Sequence, residues 1–314
     1  MSLETPIVFI VFNRPRHTRK TFEAIRLQRP KQLFIVADGP RKAHPSDYEN
    51  CLQVREIVAQ IDWPCDVHRN YAEQNLGCKQ RVNSGLDWVF ALVERAIILE
   101  DDCLPNPDFF SFCETLLERY QDNEQIMTIT GNNFQNGHQR GDADYYFSKY
   151  NHIWGWATWR RAWQKNDVSL PFWPTWRNSS EWIAHSPYRA ERAYWTAIFD
   201  RMYRNEIDTW DYPWTANIWY HGGLIATPNV NLVTNIGFGP DGTHTLSIKD
   251  RPGLPVHSLA LPLNHPRAIQ RDAVADRYVF DHLLGGLDKQ FPWSILRLPK
   301  RAINKILRLM QGDR

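Results

Sequence analysis

Apolar residues in the first third of the chain come in short unbroken runs, each cut off by polar turn residues. Ile7-Val8-Phe9-Ile10-Val11-Phe12 stops at Asn13-Arg14-Pro15, and Leu33-Phe34-Ile35-Val36-Ala37 stops at Asp38-Gly39-Pro40. Ala96-Ile97-Ile98-Leu99 stops at Glu100-Asp101-Asp102. Continuous β-branched runs of this kind suit strands buried on both faces, as in a sheet that helices cover on each side. Between the runs the period changes. A helix is expected from about Arg16 to Arg26, and a second from a Ser46/Glu49 capping box to about Gln60. Val82, Leu86, Val89, Phe90 and Val93 recur at helical spacing just before the run that ends in the acids. With a strand over Cys65 to Arg69 the order is β-α-β-α-β-α-β, which predicts a doubly wound, mainly parallel sheet with helices on both faces.

The pattern continues past the acids. Asn106 is a good N-cap and Pro107 fits a first helical position, so a helix follows that buries Phe109, Cys113, Leu116, Leu117 and Tyr120. Ile126 to Thr130 reads as a strand, and Glu191 to Arg204 as a helix with Trp195, Ile198, Phe199 and Met202 inward. From about Pro252 a Pro-rich linker leads to a helix over about Ala268 to Leu284, closed by Gly285. The tail from Ile295 to Arg314 alternates Leu and Ile with Arg and Lys. Two readings of it stand side by side: a basic amphipathic helix on an anionic membrane surface, or a terminal helix packed on its own domain.

Composition narrows the class. At 314 residues, 43% hydrophobic and 23% charged, the chain is an ordinary globular protein by its totals. Lys and Arg number 37 against 35 Asp and Glu, so the bulk charge implies no nucleic-acid partner. The five cysteines are odd in number and contain no C-x-x-C pair, which points to free thiols in a reducing, cytoplasmic setting rather than to disulfides or structural zinc. The apolar start is too short for a signal-peptide core or a membrane span. Of the 14 tryptophans, eleven fall between Trp154 and Trp219, so they belong to one region.

The candidate chemistry sits at the strand ends. In open parallel sheets ligands collect beyond the carboxyl ends of the strands. Those ends read Asn13-Arg14, Asp38-Gly39, Arg69-Asn70 and Glu100-Asp101-Asp102. At about 4 Å two like charges repel by roughly 1 to 4 kcal/mol, so three adjacent carboxylates beside a buried strand call for a counter-cation. Hard divalent ions, Mg²⁺ or Mn²⁺, prefer such oxygens and bridge to phosphates. The plain alternative is a solvated acidic turn that caps a helix. Neither a G-x-G-x-x-G fingerprint nor a phosphate-binding G-x-x-x-x-G-K-[ST] loop follows the first strand.

Taken in order, Phe12-Asn13-Arg14-Pro15, Ala37-Asp38-Gly39, Leu99-Glu100-Asp101-Asp102, Pro107-Asp108-Phe109-Phe110 and Trp210-Asp211 resemble a nucleotide-sugar glycosyltransferase of the GT-A fold, of the N-acetylglucosaminyltransferase I type. The Trp-Gly-Trp, Trp-Asp-Tyr-x-Trp and Asn-Ile-Gly-Phe-Gly…Thr-His-Thr blocks are similar to bacterial haemolytic-protein-like predicted sugar transferases. The resemblance covers about residues 5 to 250. It implies a GT-A domain over 1–250, with a donor half at about 5–130 and a Trp-rich acceptor-side half at about 131–250, before the extension at 251–314.

The resemblance also implies roles. Asp102 would ligate a divalent metal, Mn²⁺ or Mg²⁺, that bridges the donor's diphosphate. Asp101 would contact the ribose or the donor sugar, and Glu100 would orient their neighbours. Asn13 and Arg14 would lie near the nucleotide. Asp38 would accept from the base, most naturally the imide N–H of uracil in a UDP-sugar. Inverting transfer to a glycan or glycolipid hydroxyl needs a carboxylate base. Asp211 is the candidate, with Asp208 its rival and a helix cap in an aromatic core its plain alternative. His244 is a candidate extra metal ligand. Trp210 and Trp214 are the candidates for stacking on a sugar ring, whereas Trp156, Trp159 and Trp163 at helical spacing read as core. Two other functions compete: a sugar nucleotidyltransferase, and a non-catalytic glycan-binding protein on the same scaffold.

Overall fold

The side chains of the central strands alternate between two separate cores. Phe9, Leu33, Ile35, Ile97 and Leu99 enter one, and Val8, Ile10, Phe34, Val36 and Ile98 enter the other. Both faces of the sheet are therefore dry, which explains why the strands read as unbroken apolar runs. The computed structural model describes residues 2–238 and 254–289. His244 and the basic tail from Ile295 lie outside the described residues.

In the first third, β1 (Ile7–Val11), α1 (Pro15–Gln28), β2 (Gln32–Ala37), α2 (Pro45–Val58), β3 (Asp66–Tyr71), α3 (Cys78–Leu92) and β4 (Arg95–Glu100) follow in the predicted order. A two-residue turn leads to β5 (Cys103–Pro105), α4 (Pro107–Arg119), β6 (Ile126–Thr130), β7 (Tyr145–Ser148) and β8 (Trp156–Trp159). Four short or medium helices come next: α5 (Arg160–Trp163), α6 (Trp173–Trp176), α7 (Ser180–His185) and α8 (Arg189–Tyr203). Then follow α9 (Asp211–Tyr220), β9 (Leu224–Pro228), β10 (Val233–Asn235) and α10 (Ala273–His282).

Eight strands form one sheet in the order β3-β2-β1-β4-β8-β6-β9-β7, with helices on both faces. β3, β2, β1 and β4 pair in parallel, β6 and β9 run the same way, and β8 and β7 run against them. The fold is thus mixed α/β on a mainly parallel sheet. Helices α1, α2 and α4 cover one face, with Phe22, Val54 and Phe109 inward. Helix α3 and the tryptophan-rich helices cover the other.

Three local expectations are corrected. Helix α2 starts at Pro45 behind His44, with no side-chain cap, so Ser46 and Glu49 form no capping box. A proline at the first position needs no N–H partner and moves the start forward. Trp156, Trp159 and Trp163 are buried, but they span β8 and α5 rather than one helix, because the backbone of 156–159 pairs with both β4 and β6. Helix α10 is shorter than the pattern suggested, since Asp272 caps it through a bond from Ala275 N at 2.8 Å.

Residues 254–289 lie against the rest. His257 N donates to Asn231 O (2.8 Å), Leu259 N to Asp108 Oδ2 (2.9 Å), and Arg271 bridges to Phe147 on β7. Val279 and Phe280 of α10 join the second core. Asp276, buried on the same helix, takes hydrogen bonds from Ser148 (2.6 Å) and Arg271 (2.5 Å).

Candidate functional site

Because β2, β1 and β4 are parallel neighbours, their carboxyl ends open along one edge. Arg14 follows β1, Asp38 follows β2, and Glu100 ends β4. The turn before α9 reaches the same place from more than a hundred residues away. Together they line a cavity of about 420 Å³ whose walls include Arg14, Asp38, Glu100, Asp101, Asp102, Trp210 and Asp211.

The acidic turn is held from two sides. Thr21 Oγ1 of α1 donates to Asp101 O (2.9 Å), and Ile236 N donates to Asp102 O (2.8 Å). The second bond extends the small antiparallel pair β5–β10, in which Cys103 lies opposite Asn235. Gly237 then passes so close that a Cβ there would sit inside contact distance of Asp102 Oδ2 and force that carboxylate to shift.

Charge in the turn is concentrated and only partly offset. Arg14 Nη2 donates to Asp101 Oδ1, and Arg14 Nη1 lies 3.0 Å from Asp102 Oδ2. The Cys103 thiol donates to Asp102 Oδ1 at 3.4 Å. Asp101 is buried, and its Oδ2 has no hydrogen-bond partner among the described residues. Burial pushes Glu100 up to about 8, helped by the charges of Asp102 and Asp101, opposed by Arg14, and helped again by Asp211. Burial also raises Asp101, with Arg14 pulling the other way. For Arg14 itself burial disfavours the charge, but Asp101 and Asp102 outweigh it and hold the guanidinium protonated.

No group of three or more His, Cys, Asp or Glu converges on a metal position among the described residues. The donor chemistry still fits a hard divalent ion. Asp101 and Asp102 share one guanidinium, one buried carboxylate oxygen of Asp101 is orphaned, and such ions are commonly held by one or two carboxylates plus a ligand's phosphates.

Asp38, expected to accept from the base, is engaged by the chain's own donors. Its Oδ1 accepts from Gly39 N (2.8 Å) and Leu76 N (2.9 Å), and its Oδ2 from Asn75 Nδ2 (2.9 Å) and Gly77 N (3.2 Å). A carboxylate has about four acceptor positions, and in this conformation those of Asp38 are filled by Gly39 and the 75–77 loop. Burial raises its pKa, while the Leu76, Gly39 and Gly77 amides oppose that. Asn13 does not line the cavity. It donates to Asp47 Oδ1 (2.7 Å), and Asp47 in turn holds Arg41, which does line it.

Trp210 and Trp214 are also corrected. Trp210 is 1% exposed and stacks on Trp156 at 5.2 Å, while Trp214 is fully buried against Trp163 at 5.1 Å. Their ring faces are taken up by other tryptophans, although Trp210 borders the cavity.

The two candidate bases separate by what they hold. Asp208 caps α3 from outside, accepting from Cys78 N (3.2 Å) and Lys79 N (3.0 Å), because Gly77 at the N-cap has no side chain to do so. Asp211 opens α9, half-buried on the cavity wall, with the Thr209 hydroxyl donating to its Oδ1. Sequence reasoning missed Arg41 and Arg81. Arg41 stands three residues after Asp38 at the same strand end and was legible there. Arg81 is buried next to the apolar stripe of α3, where only the fold turns it to the cavity.

No protein-family model and no curated protein matches the chain. Among solved structures, it is similar to a mannosyltransferase from Pyrobaculum calidifontis in complex with GDP-Man and Mn²⁺, at 13% identity and a TM-score of 0.36. That match covers 50% of this chain and 45% of the other, so the chain spans less than half of the mannosyltransferase's length. It is also similar to a 4-diphosphocytidyl-2C-methyl-D-erythritol synthase from Anaerococcus prevotii, at 9% identity and a TM-score of 0.36, covering 71% of this chain and 88% of the other. At these values neither likeness assigns a ligand or an activity.

Proposed function

We propose that the protein is a glycosyltransferase that moves a sugar from a nucleoside-diphosphate sugar to a hydroxyl of a glycan or glycolipid, with inversion and with Asp211 as the base. The observation that carries this reading is one cavity in which an acidic turn, an arginine and a distant carboxylate face each other at the strand ends. A donor diphosphate and a nucleophilic hydroxyl need opposite surroundings, and the two halves of the wall supply them.

In this reading Asp102 would hold a divalent cation, and the orphaned Oδ2 of Asp101 offers it a second oxygen in place of the ribose or sugar contact expected of that residue. When bound, the cation supplies Lewis-acid stabilisation of the leaving diphosphate. The chain's own groups do the rest. Arg14 can turn its guanidinium fork to anionic oxygens, and Arg41, whose fork is held by Asp47, adds positive charge to the same wall. Asp211, oriented by Thr209, accepts the proton of the acceptor hydroxyl as that oxygen attacks. The closely packed tryptophans behind Trp210 keep the α9 start fixed in place.

The test is a screen of nucleotide sugars for release of nucleoside diphosphate in the presence of Mn²⁺ or Mg²⁺. The account expects turnover with at least one donor and loss of it in Asp102→Ala. Absence of turnover with every donor, or an Asp102→Ala protein as active as the parent, sinks the assignment.

A further inference from the structure

The acidic turn is closed in this conformation by the chain's own groups. Arg14 bridges Asp101 and Asp102 with two nitrogens of one guanidinium, and Gly237 lies beside both Arg14 and Asp102. A metal approaching Asp102 therefore meets a resident positive charge and a backbone wall. Yet the compensation is incomplete. Three carboxylates face one guanidinium, and Asp101 Oδ2 is buried with no donor among the described residues.

Arg14 is the part that can be drawn away. Its side chain keeps 19% of its surface exposed and lines the cavity, so an anion entering there can reach it. A guanidinium fork matches phosphate oxygens as well as it matches carboxylates. The two classes of oxygen thus compete for the same nitrogens.

From this geometry we infer that Arg14 is a displaceable counter-cation that keeps a divalent metal off Asp101 and Asp102 until a diphosphate-bearing ligand pulls the guanidinium aside. The inference rests on the nucleoside-diphosphate reading of the cavity. It adds that metal and ligand bind cooperatively, each raising the other's affinity by the same factor. Without the ligand, the metal site exists only as a latent set of oxygens plugged by the protein.

The experiment measures Mn²⁺ binding to the full chain, by the loss of the free-Mn²⁺ paramagnetic resonance signal, with UDP or GDP present or absent. The parent should bind Mn²⁺ weakly alone and more tightly with one of the nucleotides. Arg14→Met should bind Mn²⁺ about tenfold or more tighter without nucleotide, the effect of removing one nearby positive charge. Nucleotide should then add less than it adds to the parent, with the Mn²⁺ held by nucleotide alone subtracted in both cases. Arg14→Lys keeps the charge but cannot span both carboxylates, so its affinity should fall between the two. It also serves as the test if the methionine variant fails to fold by thermal melting.

Equal Mn²⁺ affinity in folded parent and Arg14 variants overturns the inference, as does tight Mn²⁺ binding by the parent with no nucleotide. A failure of the transferase reading looks different: the Arg14 variants gain Mn²⁺ affinity, but no nucleotide sugar is turned over.

Discussion

Asp47 shows how one buried carboxylate organises a cavity wall that it does not itself line. It is 1% exposed and receives Asn13 Nδ2 (2.7 Å), Arg41 N (3.1 Å) and Arg41 Nε (2.6 Å). The Arg41 hydrogen bond, against the cost of burial, lowers its pKa from the ordinary 3.8 to about 2. A depressed carboxylate contributes stability that is fully present above its unfolded value and is lost as pH falls through its folded value. This contribution should therefore persist above pH 4 and disappear between about 4 and 2. Urea midpoints across that range should fall less steeply for Asp47→Asn than for the parent; parallel curves would contradict the assignment. Asp38 makes a second residue-scale case. Replacing it with Ala leaves three loop amides without their acceptor, so Asp38→Ala should destabilise by about 3 kcal/mol in denaturant unfolding, whatever the ligand.

At the scale of elements, the site depends on caps and straps supplied from far away in the chain. Helix α3 has a glycine at its N-cap and borrows Asp208, so Asp208→Ala should cost about 1 kcal/mol of stability. If Asp208→Ala leaves unfolding unchanged, the cap is not what the residue contributes. The β5–β10 pair straps the acidic turn, and its close passage at Gly237 was not readable from the residues alone. The strands β1, β2 and β4 and the helix α4 were legible because apolar runs and an Asn-Pro start have few alternatives. The β7, β8 and β9 strands and helix α9 were not. Tryptophan and tyrosine fit a strand and a helix core equally well, and the spacing of Trp156, Trp159 and Trp163 imitates a helical stripe by coincidence. Of the candidate site, the acids, Arg14 and Asp211 were legible as polar groups next to buried elements. The saturation of Asp38 and the burial of Trp210 and Trp214 were not, since they are set by a loop and by rings distant in sequence.

For the whole molecule, the two cores make the sheet a rigid frame, and the tryptophans thicken the core on the α9 side. Trp214→Ala, fully buried among Trp156 and Trp163, should cost about 3 to 5 kcal/mol. On the same side buried Lys149, Glu191 and Asp276, with half-buried Arg271, form a charged cluster that docks α10. Asp276→Ala leaves the buried Ser148 hydroxyl and Lys149 N–H without their acceptor and half-buried Arg271 without its partner, so it should destabilise by about 2 to 3 kcal/mol. A loss under 1 kcal/mol would mean that α10 is docked by its apolar face alone. The central claim, that this frame sets a base opposite a diphosphate site, is tested most directly in Asp211→Asn. With a donor identified, transfer to the acceptor should fall by about a hundredfold to ten-thousandfold while donor affinity and thermal stability stay near those of the parent. Transfer at the parental rate in Asp211→Asn would contradict the account.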